Sequence, residues 1–165
     1  MNRMKRIGLM LLIIFACTGC DQTTKYLASN WLAHDSISSY AHDMFRFEYT
    51  ENPGAFLGLG STLSQETRYH IFVMAVTLGL LVMFLYTALH KKMKIDEVIA
   101  FSIVIGGGIS NLYDRVVNNG LVVDFMNIGI GELRTGIFNL ADVFIMVGFA
   151  MLIFHVARAR KKSLE

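Results

Sequence analysis

Two aspartates stand where acid–base chemistry could be run. Asp124 lies in Val122-Val123-Asp124-Phe125 and Asp142 in Phe138-Asn139-Leu140-Ala141-Asp142, both among apolar residues. Two carboxylates at a shared, partly desolvated site cannot both ionise easily, so the pair keeps one proton near neutral pH. The ionised member can take a proton from water as it attacks a peptide carbonyl. The protonated member can donate to the developing oxyanion and then to the leaving amine. Such a pair is what an aspartyl peptidase needs. Taken singly, Asp124 also reads as an ordinary loop acid, and Asp142 as an acid favoured by the dipole of a helix start. Spacing alone does not show that they meet.

Other chemistries fit less well. No serine sits in a Gly-x-Ser-x-Gly elbow, and His34, His42, His70, His90 and His155 contain no pair at i and i+4. A metal site is therefore not expected. Cys17 and Cys20 lie in an apolar stretch without a second pair and read as buried, inert thiols.

The elements that must position the acids belong to a membrane chain. Hydrophobic residues make up 54% of its 165 positions and charged residues only 17%, with a single proline. The mean hydropathy is +0.49. A soluble domain is roughly 45–50% apolar and about 25% charged. Crossing about 30 Å of hydrocarbon takes about 20 mostly apolar residues, and runs near that length fall at about 7–28, 69–89, 98–117 and 137–156. The expectation is one integral-membrane domain, 1–165, an all-α bundle of four spans with longer connections at about 30–66 and 118–136.

Three basic clusters orient it: Arg3, Lys5 and Arg6; Lys91, Lys92 and Lys94; and Arg158, Arg160, Lys161 and Lys162. By the positive-inside rule all three are cytoplasmic, so both termini lie inside and the longer connections face outward. The net charge of +2 is accounted for at the lipid surface. Membrane lipids are thus expected partners and nucleic acid is not.

The amino terminus has two readings. Basic residues followed by Ile7 to Cys20, ending in Cys17-Thr18-Gly19-Cys20, look like a secretory signal with a lipoprotein cleavage box. The box lacks the usual leucine three residues before its cysteine. Asp21 and Lys25, four apart on one helical face, can pair. An unpaired charge at mid-span costs at least about 2.5–3.5 kcal/mol, so such a pair marks a membrane helix with a structural or functional task. The segment is read as an uncleaved first span.

On that topology the buried polar residues converge at one level. Asn111, Asp114 and Arg115 fall at the outer end of the third span, Asn139 and Asp142 in the first turns of the fourth, and Asp21 and Lys25 in the outer third of the first. Asp114 with Arg115 reads as a structural ion pair, while Asn111 and Arg115 could donate to a carbonyl or a lipid head group. Gly106-Gly107-Gly108 suits the close approach of a substrate or of a packed helix, and both readings stay open. Phe45 to Thr50 alternates as a half-exposed strand should, followed by an Asn52-Pro53-Gly54 turn. Trp31, Phe45, Phe47 and Tyr49 equally suit an interfacial aromatic belt.

Five blocks together resemble the signatures of the lipoprotein signal peptidases (signal peptidase II). They are Asp21-Gln22-Thr23-Thr24-Lys25, Asn52-Pro53-Gly54-Ala55-Phe56, Gly107 to Arg115 (GGISNLYDR), Val122-Val123-Asp124-Phe125 and Phe138-Asn139-Leu140-Ala141-Asp142. The resemblance implies a four-helix bundle with a small extracytoplasmic β-rich cradle between the first two helices, and a second outer segment closing over the site. It implies Asp124 and Asp142 as the catalytic dyad. Asn52, Gly54, Gly108, Asn111, Arg115 and Asn139 would bind substrate, with Asp21, Lys25 and Asp114 supporting the fold. The implied substrate is a diacylglyceryl-modified prolipoprotein, cut just before its lipidated cysteine at the outer face of the bacterial inner membrane. It further implies no cofactor, a monomer, and inhibition by globomycin. One departure is that a single alanine, Ala55, separates Gly54 from Phe56, where the family usually has two.

The main rival is a small proton or ion transport protein using the same buried charges. Four spans without internal symmetry are thin for that role. A lipoprotein or assembly subunit would rest on Gly19-Cys20 alone. A presenilin-like protease would need a Gly-x-Gly-Asp block, which is missing.

Overall fold

The computed structural model describes residues 1–32, 37–54 and 62–162. Four of its helices are long and apolar enough to cross a bilayer, at Arg3–Trp31, Glu66–Leu89, Ile95–Val117 and Leu140–Arg160. The element order is α1 (Arg3–Trp31), β1 (Ser38–Tyr40), β2 (Phe45–Asn52), α2 (Gln65–Tyr69), a π-helical turn (His70–Ala75), α3 (Val76–Leu89), α4 (Ile95–Val117), β3 (Val122–Ile130), β4 (Leu133–Arg134) and α5 (Leu140–Lys162). The second span is thus one rod of α2, the π-helical turn and α3.

Local chemistry sets the helix starts. The Asn2 side chain accepts from the Lys5 amide at 2.8 Å and opens α1. At α4, Glu97 reaches back to the Lys94 amide at 2.7 Å, and Asp96 and Glu97 place negative charge at the positive end of the helix dipole. The fourth span begins at Leu140 rather than 137 because Asn139 caps it.

Helix α4 is the centre of the bundle and packs on α1, α3 and α5. Its apolar stretch is 56% buried, against 22%, 11% and 17% for the other three. Successive helical residues point about 100° apart, so the three glycines of α4 face three different neighbours. A Cβ on Gly106 would lie 2.8 Å from the Cys17 Cβ of α1, one on Gly107 2.5 Å from the Ala141 carbonyl oxygen of α5, and one on Gly108 2.6 Å from the Leu80 side chain of α3. Close approach of three helices at one level is the packing reading of this triplet.

Four strands form one antiparallel sheet in the order β1-β2-β3-β4. The cradle is therefore built from both long connections. The expected cradle between the first two helices is present as β1 and β2, and the second connection extends it through the pairing of β2 with β3. That pairing sets Thr50 opposite Asp124 and Asn52 opposite Val122. Backbone groups emerging from a bilayer need partners, and two strands from different connections satisfy each other. The Phe138 carbonyl then accepts from the Phe125 and Met126 amides at 3.1 and 2.9 Å, tying β3 to the residue before the α5 cap.

At the opposite end of the bundle, Arg6 is buried rather than spread on the lipid surface with its basic neighbours. Its guanidinium donates to the carbonyls of Thr87, His90 and Lys91, where α3 ends. A cation at a helix C-terminus meets both the dipole and the unpaired carbonyls. Cys17 is buried as expected, whereas Cys20 is exposed on the outside of α1.

The glycine packing gives a direct test. Gly107→Ala should cost about 1–3 kcal/mol through overpacking against α5. Gly79→Ala, in α3 with nothing within 4 Å of its added Cβ, should be neutral or stabilising by up to about 1 kcal/mol. Thermal unfolding of the two variants in detergent checks this, and equal midpoints would contradict the packing role.

Candidate active site

The buried polar groups at the sheet end of the bundle form a connected network that begins at Lys25. The ammonium is 2.8 Å from Asp21 Oδ2 on its own helix and 2.8 Å from Asp114 Oδ2 on α4. Its third contact, at 2.9 Å, is to Asn111 Oδ1. Asp21 also accepts from Ser110 Oγ and from the Ala141 amide, both at 2.7 Å, so one carboxylate joins α1, α4 and α5. Asp114 accepts from Gln22 Nε2 at 2.7 Å and from the Val123 amide at 3.1 Å, fixing β3 beside α4.

The expected Asp114–Arg115 ion pair is corrected here. Neighbouring residues on a helix do not face each other, and Asp114 turns to α1 while Arg115 turns to the cavity. Arg115 donates to the carbonyls of Asn111 at 3.1 Å and Gly54 at 2.7 Å, and its guanidinium lies 5.2 Å from the Phe72 ring centroid. Its Nε is buried with no partner.

Three asparagines carry the network to the two candidate carboxylates. Ammonium nitrogen can only donate, so the Lys25 contact fixes the Asn111 amide with its oxygen towards α1 and its NH2 outward. That NH2 donates to Asp142 Oδ1 at 2.9 Å. Asn139 Oδ1 accepts from the Asp142 amide at 2.9 Å, and Asp142 Oδ2 accepts in return from the Asn139 amide at 3.4 Å, a reciprocal cap on α5. The Asn139 NH2 is thereby aimed at Asp124 Oδ1, 2.6 Å away, and at Asn111 Oδ1, 3.0 Å away. Asn52 Oδ1 accepts from the Gly54 amide at 2.8 Å, leaving its NH2 to donate to Asp124 Oδ2 at 2.8 Å. Each asparagine is oriented by a group that can only donate, and each presents N–H to a carboxylate.

Asp124 and Asp142 are 1% and 8% exposed, yet both line one cavity of about 540 Å³. Asn52, Gly108, Asn111 and Arg115 line it with them. Asn139 and Gly54 stand one layer behind, orienting Asp124 and Arg115. The cavity continues past Ile145, Met146 and Phe149 to Ile153, three turns or about 16 Å down α5. Phe72 and Val76, at the π-helical turn and the start of α3, form the facing wall. Burial pushes the Asp124 carboxyl up from its ordinary 3.8 to about 6; the Asn52 donor opposes that shift and the charge of Asp142 adds to it.

Sequence reasoning passed over Gln22, Ser110, Phe72 and the apolar wall of α5. Gln22 and Ser110 stood within the quoted blocks and their polarity at span depth was the available signal. The apolar wall carried none, because its residues are what any lipid-facing helix uses. Ala55 and Phe56, the site of the shortened block, lie outside the described residues.

Fold and site together describe a multi-pass membrane enzyme with a buried acidic site. Two solved bacterial membrane enzymes share the fold. One, at 2.3 Å resolution, aligns with a TM-score of 0.80 and 23% identity over 94% of this chain and 92% of that one. The other, at 1.9 Å, aligns with a TM-score of 0.77 and 22% identity over 91% and 93%. A lipoprotein signal peptidase of Clostridioides difficile is 33% identical, covering 94% of this chain and 99% of the relative. That of Desulforapulum autotrophicum is 32% identical over 92% and 91%. The family described as signal peptidase (SPase) II matches residues 13–158. The chain belongs to the signal peptidase II family and is an aspartic-type membrane peptidase.

Two outcomes test this electrostatic arrangement. Lys25→Met leaves Asp21 and Asp114 buried without their cation and should cost about 3–5 kcal/mol, read as a large drop in unfolding midpoint. A midpoint equal to the parent's would show that the network does not depend on the ammonium. Because the folded-state value of Asp124 is raised, its stabilising contribution is complete below about pH 4 and is lost as pH rises through about 6. The shift corresponds to about 3 kcal/mol. The unfolding midpoint should therefore fall across that window more steeply in the parent than in Asp124→Asn, and parallel profiles would contradict the assignment.

Proposed function

We propose that this chain removes signal peptides from prolipoproteins, with Asp124 and Asp142 as an aspartyl dyad that activates water. The observation that carries the reading is that two buried carboxylates from different elements line one cavity. Both are held by neutral amide donors, and among the described residues neither makes a direct ion pair: Lys25 is engaged by Asp21 and Asp114, and Arg115, on the same cavity wall, donates to the carbonyls of Asn111 and Gly54. A direct lysine or arginine partner would lock a carboxylate in its ionised form. Amide donors hold position without forbidding a shared proton. The raised value of Asp124 supports this arrangement.

In the proposed reaction a water between the carboxylates loses a proton to the ionised aspartate as its oxygen attacks the scissile carbonyl. The protonated aspartate donates to the carbonyl oxygen as charge develops there. Collapse of the tetrahedral gem-diol breaks the C–N bond: the leaving amine takes its proton from the acid formed in the first step, and one diol hydroxyl returns its proton to the other aspartate as the new carboxyl group forms. Arg115, whose buried Nε has no internal partner, would donate to a substrate carbonyl. The apolar length of the cavity along α5 suits the hydrophobic part of a signal peptide or an acyl chain.

We further assign cleavage to the bond before a diacylglyceryl-modified cysteine, at the outer face of the bacterial inner membrane with both termini cytoplasmic. The names of the relatives support the lipoprotein substrate, and the three basic clusters support the orientation. The monomer that the family resemblance implies is part of this proposal.

Purified protein in detergent should cut a diacylglyceryl-modified precursor peptide just before its lipidated cysteine. Asp124→Asn and Asp142→Asn, each checked for folding, should lose at least about 10²–10⁴-fold in kcat with smaller changes in KM. Cleavage by either folded variant at the parent's rate would refute the dyad. A folded parent that never cuts, but carries protons across liposomes, would favour the transport reading.

A further inference from the structure

We propose that the groove between the last turns of α1 and strands β2 and β3 is a boundary-lipid site that holds one acyl chain of a bilayer phospholipid. The groove has a volume of about 320 Å³ and is walled by Leu27, Ala28, Trp31 and Leu32 of the α1 end and by Phe47 and Phe125 of the sheet. Among the described wall residues, Thr24 spends its hydroxyl on the Asp21 carbonyl at 2.8 Å, and the one other side-chain donor is the indole N–H of the exposed Trp31. The rest of the wall is apolar and favours an aliphatic occupant.

Continuity with the bilayer decides which aliphatic molecule reaches it. Tyr26, Leu27 and Trp31 are 69%, 43% and 81% exposed on the outer surface of a membrane-spanning helix, so the groove opens onto lipid. The apolar surface continues along the sheet. Phe45 lies two residues from Phe47 on the same face of β2, opposite Ile128, and these two are 41% and 39% exposed. Trp31 at this level suits the head-group boundary. The groove and the carboxylate cavity share no lining residue. A substrate seated at the carboxylates is thus not the expected occupant, and the bulk phospholipid is. The two cavities share strands β2 and β3: Asn52 and Asp124 line one, Phe47 and Phe125 the other. An acyl chain in the groove would press on Phe125 and hold β3 against the bundle.

Trp31 is the one tryptophan of the chain, so its emission reports on the groove directly. The protein is held in unbrominated detergent micelles and titrated with a phosphatidylcholine brominated along its acyl chains. The expected result is a saturable loss of Trp31 emission that excess unbrominated phosphatidylcholine reverses. Ala28→Leu, which fills the groove, and Phe47→Ala, which removes a wall, should each weaken or abolish the saturable part while circular dichroism stays that of the parent. If one of these does not fold, the other still decides. Quenching that rises linearly with brominated lipid, and is the same in the folded variant, would mean that Trp31 merely touches the micelle, and would overturn the proposal. Quenching that appears only with a brominated lipid-modified precursor peptide would overturn it as well, by making the groove part of the substrate site.

Discussion

The structure depends on satisfying one buried ammonium. Lys25 sits in a membrane helix with only 4% of its side chain exposed, where no water can solvate it. Two carboxylates and one amide oxygen meet its three protons. Because those partners lie on α1 and α4, the charge dictates how these helices are rotated against each other. Asp21 then reaches the start of α5, and Asp114 reaches β3. A charge requirement on one helix becomes the placement of four elements.

The same requirement sets the character of the candidate dyad. With Asp21 and Asp114 engaged on Lys25, the ammonium is joined to Asp142 by hydrogen bonds through the Asn111 amide. The hydrogen bonds that hold the two candidate carboxylates come from uncharged amides of fixed direction, with Arg115 standing on the same cavity wall. In the proposed mechanism such a site disfavours ionisation of both acids together and so keeps a proton available to the pair. Gly106 and Gly107 belong to this arrangement, since a side chain at either would push α1 or α5 away from α4, whereas at Gly108 only the flexible end of Leu80 would have to shift.

Much of the fold was legible because a membrane makes local pattern decisive. Apolar runs near the required length marked the four spans, and charges at one depth marked a common polar level. Partner choice was less legible. Whether Asp114 pairs with its sequence neighbour or with Lys25 depends on helix rotation, which no local pattern encodes. The pairing of β2 with β3 joins segments some 75 residues apart, and Val122-Val123-Asp124-Phe125 looks alike as a loop or as a strand. Arg6 counted as one of three basic residues in a row, yet only the end of α3 beside it reveals a capping cation. The resemblance of the five blocks carried the candidate residues; the orientation of the three asparagines came from the contacts alone.

The division of the two carboxylates between a strand and a helix start follows from what the proposed reaction needs. Hydrolysis requires water at the scissile bond, whereas a signal peptide and an acyl chain require an apolar wall. Two acids placed deep in facing spans would have the wall without the water. A strand outside the spans can bring Asp124 to the boundary, and Asp142, at the third residue of α5, meets it from the membrane side. Below that level α5 offers only apolar residues to the cavity. In the proposed reaction the sheet is therefore a necessary part of the site: it brings Asp124 to the cavity that Asp142 lines from α5, and β2 supplies, through Asn52, the amide that holds that acid there.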